Sequence, residues 1–155
     1  MTFRIHALDP ARFAPLFALD DDSLAAQRAR RVVATSHPGF PCRVSLTDAA
    51  IGDTLLLINH AHLVGDTPYA ASHAIYVRAD AVRAEPAVGE VPEVLTRRLL
   101  AIRAFDAAAM MVDADVVDGS AAGAEIVRLF DNPVATFIHI HFAKRGCFAA
   151  SASRA

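Results

Sequence analysis

The chain has 155 residues, of which 54% are hydrophobic and 21% charged, and its formal charge is −2 at pH 7. This apolar content excludes an intrinsically disordered protein, and the length suits one globular domain over residues 1–155. Lys144 is the only lysine, so the dense positive surface that binds nucleic-acid backbones is not expected. No apolar run approaches the twenty or so residues that cross a bilayer, so we also expect no membrane partner.

The sequence favours a cytoplasmic location. Residues 1–6 contain neither the basic segment nor the continuous apolar segment of an export signal. Cys42 and Cys147 are the only cysteines and could form at most one disulfide, which a reducing compartment would keep as two thiols.

The first third of the chain predicts a strand and short helices. Apolar and polar residues alternate over 3–8, as in a strand with one buried face. Asp9 and Pro10 are typical of a helix start, and we interpret Asp20–Asp22 as helix-start acids rather than calcium ligands. The two prolines and the glycine within residues 36–41 predict a fixed turn directly before Cys42.

The rest of the chain is dominated by strands, with few helices. The pattern predicts a central strand over 53–60, a strand over 74–77, a loop over 84–93, a hairpin of 97–105 and 110–117, a helix over 122–130 and two final strands over 134–142 and 146–152. Most neighbours are joined as hairpins, so we expect a single α+β domain with a mostly antiparallel or mixed β-sheet and two or three helices.

Two histidines in the last hairpin are the most suggestive chemical feature. Side chains alternate across a strand, so His139 and His141 share one face, while Ile138, Ile140 and Phe142 form the core face. The histidine side is therefore either exposed to solvent or part of a partly covered cleft. Both histidines are candidates for proton transfer as catalytic residues.

The hairpin turn decides whether Cys147 joins these histidines. A three-residue loop of Lys144, Arg145 and Gly146, with the glycine in the left-handed conformation, would pair Ala143 with Cys147 and bring the thiol to the histidine face. His139, His141 and Cys147 would then form a zinc or iron site with an open position. A two-residue loop would instead place Cys147 opposite Phe142 in the core. Histidines on a strand face also commonly form hydrogen bonds without a metal.

A second candidate centre is Cys42. A rigid proline turn holds this thiol beside Arg43, whose permanent charge would stabilise a thiolate nucleophile. The alternative is structural, because cysteine is among the most frequently buried residue types.

Arginines near these segments suggest binding of an anionic ligand. Guanidinium groups form paired hydrogen bonds to carboxylates and phosphates, and Arg43, Arg103 and Arg145 lie in or beside the segments just described. The sequence slightly favours an ion pair of Arg103 with Asp113 across the predicted hairpin. Tyr69, which follows a proline in a loop, is a further candidate ligand-binding residue.

The ordered set of short motifs resembles a bacterial family known as "domain of unknown function 1203". The resemblance rests on Pro41-Cys42-Arg43, Gly52-Asp53, Ile75-Tyr76-Val77-Arg78, Arg103-Ala104-Phe105-Asp106 and the terminal His139-Ile140-His141 with Arg145-Gly146-Cys147-Phe148. It covers essentially the whole chain. One departure is His73-Ala74, where the family tends to carry Gly-Pro. The resemblance implies a stand-alone bacterial protein and assigns no activity.

Three functions remain open at this stage. The first is binding, or conversion by an unassigned reaction, of a small anionic molecule held by Arg43 and Arg145. The second is a transition-metal protein using His139, His141 and Cys147. The third is an interaction module that self-associates, for example as a homodimer. The sequence contains no GxGxxG, GxxxxGK, GxSxG or HExxH motif, so it identifies no cofactor and does not decide whether the protein is an enzyme.

Overall fold

A computed structural model describes residues 2–155 and has an α+β fold with antiparallel sheets. The elements in chain order are β1 (Phe3–His6), α1 (Asp21–Ala26), β2 (Ala29–Val33), β3 (Thr54–Leu63), β4 (Ala71–Arg78), α2 (Glu93–Thr96), β5 (Leu99–Phe105), β6 (Met111–Asp118), α3 (Ala122–Phe130), β7 (Phe137–Phe142) and β8 (Phe148–Arg154). The predicted α+β class is confirmed.

The chain divides into two compact units. The first contains residues 2–6, 61–73 and 85–155, and the second contains residues 7–60 and 74–84. The single domain over 1–155 stays a prediction. None of the helices within residues 2–155 is long and apolar enough to span a membrane.

The first unit is built on a five-stranded antiparallel sheet with the order β1-β8-β7-β5-β6. One face is apolar because alternate residues of β5 and β7, such as Ile102 and Ile140, are fully buried. Helix α3 buries Ile126 and Leu129 and packs against β5 and β6. The predicted helix over 122–130 is confirmed.

Strand β6 lies at one edge of this sheet. Two of its own side chains accept hydrogen bonds from backbone N–H groups of the strand. The carboxylates of Asp113 and Asp115 accept hydrogen bonds from the backbone N–H groups of Ala114 at 2.8 Å and Val116 at 2.7 Å. These two donors are therefore satisfied without a neighbouring strand.

The second unit contains β2, which pairs antiparallel with β3, and a core cluster of Ala34, Ala49 and Leu55. Strand β3 is the middle strand of the order β2-β3-β4, as the sequence predicts for residues 53–60. Asp20 caps α1 by accepting from the Ser23 N–H at 2.8 Å. The predicted cap is thus confirmed.

The helix predicted after Asp9 forms as two short 3-10 helices, Pro10–Arg12 and Ala14–Ala18. The expected cap is present, since the Asp9 carboxylate accepts from the Ala11 N–H. A second proline, Pro15, cannot donate the backbone hydrogen bond that a continuous helix needs there, so the two turns stay separate.

Candidate functional site

One face of the five-stranded sheet carries several histidine, serine and arginine side chains of the first unit. Strand β7 places Phe137, His139 and His141 on this side, because residues two apart share a face. We call this side the histidine face. The prediction that the two histidines share a face is confirmed.

A row of polar residues crosses the histidine face. In the antiparallel register His6 of β1 lies opposite Ser151 of β8, Ser151 lies opposite His139 of β7, and His139 lies opposite Arg103 of β5. Directly opposed residues point to the same side of a sheet. Since neighbouring strands are about 4.8 Å apart, the row is about 15 Å long.

The β1 end of the row is tied down by hydrogen bonds. His6 Nε2 lies 2.7 Å from Ser153 Oγ, and either atom can donate depending on the histidine tautomer. Arg4 donates to the Pro86 carbonyl at 3.2 Å. The register places Arg4, opposite Ser153, on the same face as His6.

Arg103, at the other end of the row, has no counter-ion among residues 2–155. The residue is partly buried, and its guanidinium forms neither a hydrogen bond nor an ion pair with another described residue. Desolvation by burial lowers the pKa of this guanidinium from its usual value. It nevertheless stays charged, because arginine does not lose its proton in proteins. A partly desolvated cation thus lies beside His139.

The predicted ion pair between Arg103 and Asp113 is wrong. Asp113 lies opposite Ala104, so its side chain is on the helix side of the sheet. There it pairs with Arg128 of α3 at 3.0 Å, and Arg128 also contacts the buried Glu125. The sequence could not fix the register of the β5–β6 hairpin, and a shift of one residue moves a side chain to the other face.

The two β7 histidines are buried, at 7% and 1% exposure for His139 and His141. A third imidazole, His62 near the end of β3, packs against both, with ring centroids 5.9 Å from His139 and 4.9 Å from His141. Phe148 stacks on His62 at 5.6 Å. We call His62, His139 and His141 the histidine cluster.

His141 is held in one tautomer. Its Nδ1 lies 3.0 Å from the Gly146 carbonyl oxygen, which can only accept, so Nδ1 carries the proton and the lone pair is on Nε2. That Nε2 is buried and has no hydrogen-bond partner among the described residues. Desolvation, opposed by the Gly146 hydrogen bond and aided by the charge of Arg103, lowers the pKa of His141 to about 3.

This neutral state limits what His141 can do. A general base works best with a pKa near the operating pH, so His141 is poorly matched to proton transfer at pH 7. It is well suited to present a fixed lone pair to a ligand. The catalytic roles expected for His139 and His141 stay predictions.

Tyr69 belongs to the same region. Its ring lies edge-on to Phe105 at 6.2 Å, and Phe105 in turn lies 5.4 Å from the His139 ring. Thr67 holds this loop by donating to the Ala109 carbonyl at 2.9 Å. Tyr69 keeps 39% of its surface exposed, so it is accessible to a ligand.

The pairing of Ala143 with Cys147 expected for a three-residue loop is wrong, and Cys147 instead takes the alternative position opposite Phe142. The Phe142 N–H donates to the Cys147 carbonyl at 2.9 Å, so the hairpin loop has four residues, 143–146. Gly146 does take the predicted left-handed conformation, at φ 76°. Phe148 contacts the histidine rings, and its neighbour Cys147 therefore points to the opposite face. Cys147 is not a member of the histidine cluster.

Arg145 is exposed in this four-residue loop and forms no polar contact with another described residue. Arg145 lies in the loop that directly follows strand β7. Arg103, which is more buried than Arg145, is the arginine that lies within the polar row. The ligand-binding role of Arg145 stays a prediction.

Cys42 and Arg43 lie in the second unit and are both buried, at 1% and 2% exposure. The Cys42 sulfur accepts from the backbone N–H groups of Ser45 at 3.5 Å and Arg78 at 3.3 Å. The Arg43 guanidinium donates to the Pro41 carbonyl. Both side chains are thus enclosed by their own unit, and their expected roles as nucleophile and anion ligand stay predictions.

Within residues 2–155, no three histidine, cysteine or acidic side chains are arranged as they stand to hold a metal ion. The histidine cluster brings three imidazoles together, with interplanar angles of 80° and 68° for the two contacts of His62.

A known family model covers most of the chain. The family model described as "Protein of unknown function (DUF1203)" matches residues 39–154. The chain belongs to the DUF1203 family. No curated protein and no solved structure matches this DUF1203 protein. The family description assigns no activity.

Sequence reasoning did not place His6, His62 or Ser151 in the site, and it slightly favoured a structural role for Arg103. The positions of His6, Ser151 and Arg103 depend on the strand order β1-β8-β7-β5, which joins residues more than a hundred positions apart. His62 comes from β3, outside this sheet. The only sequence signal was the alternation of polar and apolar residues. His6 lies on the polar side of its strand, as His139 and His141 do on theirs.

Proposed function

We propose that this DUF1203 protein binds a small anionic molecule, a carboxylate or a phosphate, on the histidine face beside Arg103 and His139. The observation that carries the proposal is the partly buried Arg103 guanidinium, which lacks a counter-ion among the described residues and lies opposite His139. A partly desolvated charge without a partner is costly, and an anionic ligand would remove that cost.

The charges of the surrounding strands support an anion. The histidine face carries the guanidinium groups of Arg4 and Arg103, whereas the β6 acids Asp113 and Asp115 point to the other side. Asp118, at the far end of β6, is occupied by hydrogen bonds to Ser120. Electrostatic complementarity therefore favours a negative ligand.

The neighbours of Arg103 would orient such a ligand. A guanidinium can bind a carboxylate or phosphate through two parallel hydrogen bonds. Ser151, opposite His139, offers a hydroxyl, and Tyr69 offers an exposed ring next to Phe105. Recognition would thus combine one strong charged contact with weaker polar and aromatic contacts.

The test is to titrate the purified full-length protein with inorganic phosphate, acetate and benzoate at constant ionic strength, in the presence of EDTA, and to follow binding by NMR. We expect one of these anions to shift the Arg103 Nε–H signal. Arg103→Gln should weaken that binding by more than about tenfold.

The matched control is Arg145→Gln, which removes an exposed guanidinium of the same unit and should leave the affinity unchanged. If none of the three anions shifts the Arg103 signal, or if Arg103→Gln binds as tightly as the unmodified protein, the proposal is wrong. A loss of binding in Arg145→Gln alone would favour the hairpin loop as the anion site.

We also propose that the protein works in the bacterial cytoplasm. The support is that the buried thiols of Cys42 and Cys147 form no disulfide within residues 2–155, which suits a reducing compartment. Cell fractionation with a tagged full-length chain tests this location. Self-association as a homodimer and the absence of a nucleic-acid partner remain predictions.

A further inference from the structure

We propose that the histidine cluster of His62, His139 and His141 is a transition-metal site, with zinc as the ion its ligands fit best. This inference goes beyond anion binding and does not depend on it. It also replaces the metal site expected from the sequence, because His62 takes the place of Cys147.

His141 is held as a metal-binding histidine is held. A metal-binding histidine usually donates its other ring N–H to a backbone carbonyl or a carboxylate, which fixes the ring. His141 has this arrangement: Nδ1 donates to the Gly146 carbonyl at 3.0 Å, and the lone pair of the buried Nε2 has no hydrogen-bond donor among residues 2–155. A buried acceptor without a donor is costly, and a bound cation would satisfy it.

The three rings of the histidine cluster are spaced nearly as ligands of one metal ion are. Three imidazoles on one tetrahedral zinc, with zinc–nitrogen distances of about 2.1 Å, have ring centroids about 5 Å apart. In the histidine cluster the centroids lie 4.9, 5.9 and 6.2 Å apart. The backbone therefore already brings the rings to within about 1 Å of the spacing that a shared metal requires.

Binding of a metal ion requires rotation of two of the three rings. No three side chains are arranged as they stand to hold a metal ion within the described chain, so His62 and His139 must turn about their Cβ–Cγ bonds. The torsion potential of this bond is intrinsically broad, and a turn of His62 would exchange part of its stacking on Phe148 for a bond to the metal. His62 is only half-buried, which gives an ion a route to the cluster.

The ligand chemistry favours zinc over a hard cation. The cluster offers only imidazole nitrogens, which suit zinc, copper, nickel or iron, and no carboxylate from the strands that carry it. Three protein ligands leave the fourth zinc position open, as in catalytic rather than structural sites. Arg103, opposite His139, would then lie beside an anion bound at that position.

The experiment uses the full-length protein stripped of metal by a chelator and then dialysed. Zinc binding is measured by calorimetry, and cobalt is added as a coloured substitute whose absorption reports tetrahedral coordination. We expect one zinc per chain and the absorption bands of tetrahedral cobalt. In histidine NMR the His141 Nε2 signal should shift on zinc binding while its Nδ1–H remains bound to Gly146.

The key variant is His62→Phe, which keeps an aromatic ring to stack on Phe148 but removes the nitrogen donors. It should weaken zinc binding by at least about tenfold. The matched control is His6→Gln, on the same face but two strands from β7, which should bind zinc normally. Circular dichroism checks that both variants fold.

The proposal fails if the protein binds no stoichiometric zinc, or if His62→Phe and His6→Gln bind zinc equally well. Arg103→Gln separates the two proposals: it should lose the anion measured in EDTA but retain zinc. Zinc binding without anion binding would overturn the proposed function alone, and anion binding without zinc would overturn the metal site alone.

Discussion

Arg103 and His139 lie directly opposite each other on the antiparallel pair of β5 and β7, with their side chains on the same face. A cation next to a buried imidazole disfavours protonation of the neighbouring histidines, because like charges repel in a weakly solvated environment. The charge of Arg103 contributes in this way to the low pKa of His141. The pair therefore links the proposed anion site to the protonation of His141.

The metal-free protein should lose stability in mild acid because of His141. Its pKa is about 3 in the folded chain and near 6.5 when unfolded, so the unfolded state binds one more proton between these values. The contribution of His141 to stability is complete above pH 6.5. It should fall by up to about 1.4 kcal/mol for each pH unit below that.

The measurement is urea unfolding in EDTA between pH 6.5 and pH 4.5, for the unmodified protein and for His141→Leu. The variant removes the titrating ring but keeps an apolar side chain. Its free energy of unfolding should depend less steeply on pH. Equal slopes for the two proteins would show that the folded state already accepts a proton at His141 in this range.

Arg154 should contribute to stability by closing the end of α3. Its guanidinium donates to the carbonyls of Asn132 at 2.9 Å and Ala135 at 3.0 Å, and to the carbonyl of Phe130, whose ring lies under it at 4.9 Å. These carbonyls follow the last helical turn and need donors. Arg154→Ala should lower the free energy of unfolding by about 1–2 kcal/mol.

The control for this arginine is Arg145→Ala, which removes an exposed guanidinium without polar contacts in the described chain. Its effect should stay within about 0.5 kcal/mol. Thermal unfolding of both variants makes the comparison. A loss for Arg145→Ala as large as that for Arg154→Ala would mean that general charge, not the carbonyl contacts, is responsible.

Two glycines of the first unit should respond in opposite ways to alanine. A Cβ at Gly119 would lie 2.1 Å from the Leu95 carbonyl oxygen and 2.6 Å from that of Arg98, so backbone must move. Gly119→Ala should cost about 3 kcal/mol. Gly123 lies within α3, and its Cβ would come no closer than 3.6 Å to Val91.

Gly123→Ala should therefore stabilise the protein by up to about 1 kcal/mol, because alanine favours helix and meets no obstacle. Calorimetric melting temperatures of the two variants should move in opposite directions. Two shifts of the same sign and size would contradict the close approach at Gly119.

Both thiols should be protected in the native protein. Cys42 is 1% exposed and Cys147 is 6% exposed, so a reagent reaches them only after local opening. Ellman's reagent should react with them at least about a hundredfold more slowly than with the unfolded chain. The comparison is an added thiol, Ala124→Cys, on the exposed side of α3. A native Cys42 that reacts as fast as this added thiol would restore it as a nucleophile.

Local pattern predicted most elements of the fold but little of the candidate site. Alternation predicted that His139 and His141 share a face, because residues two apart in a strand point to the same side whatever strands lie next to it. The opposition of His139 with Arg103 depends on strand pairing, which local pattern does not determine. Cys147 was misplaced for a related reason, since one extra loop residue reverses the face of a side chain.

The acids at the edge of the first sheet have a consequence for self-assembly. A second copy could lengthen a sheet by adding its own strand only where backbone donors are free to accept a partner. On β6, the carboxylates of Asp113 and Asp115 already accept from the backbone N–H groups of Ala114 and Val116, so these donors are not available to an incoming strand. A homodimer of this protein should therefore form through some other surface, and fibril growth from β6 is discouraged.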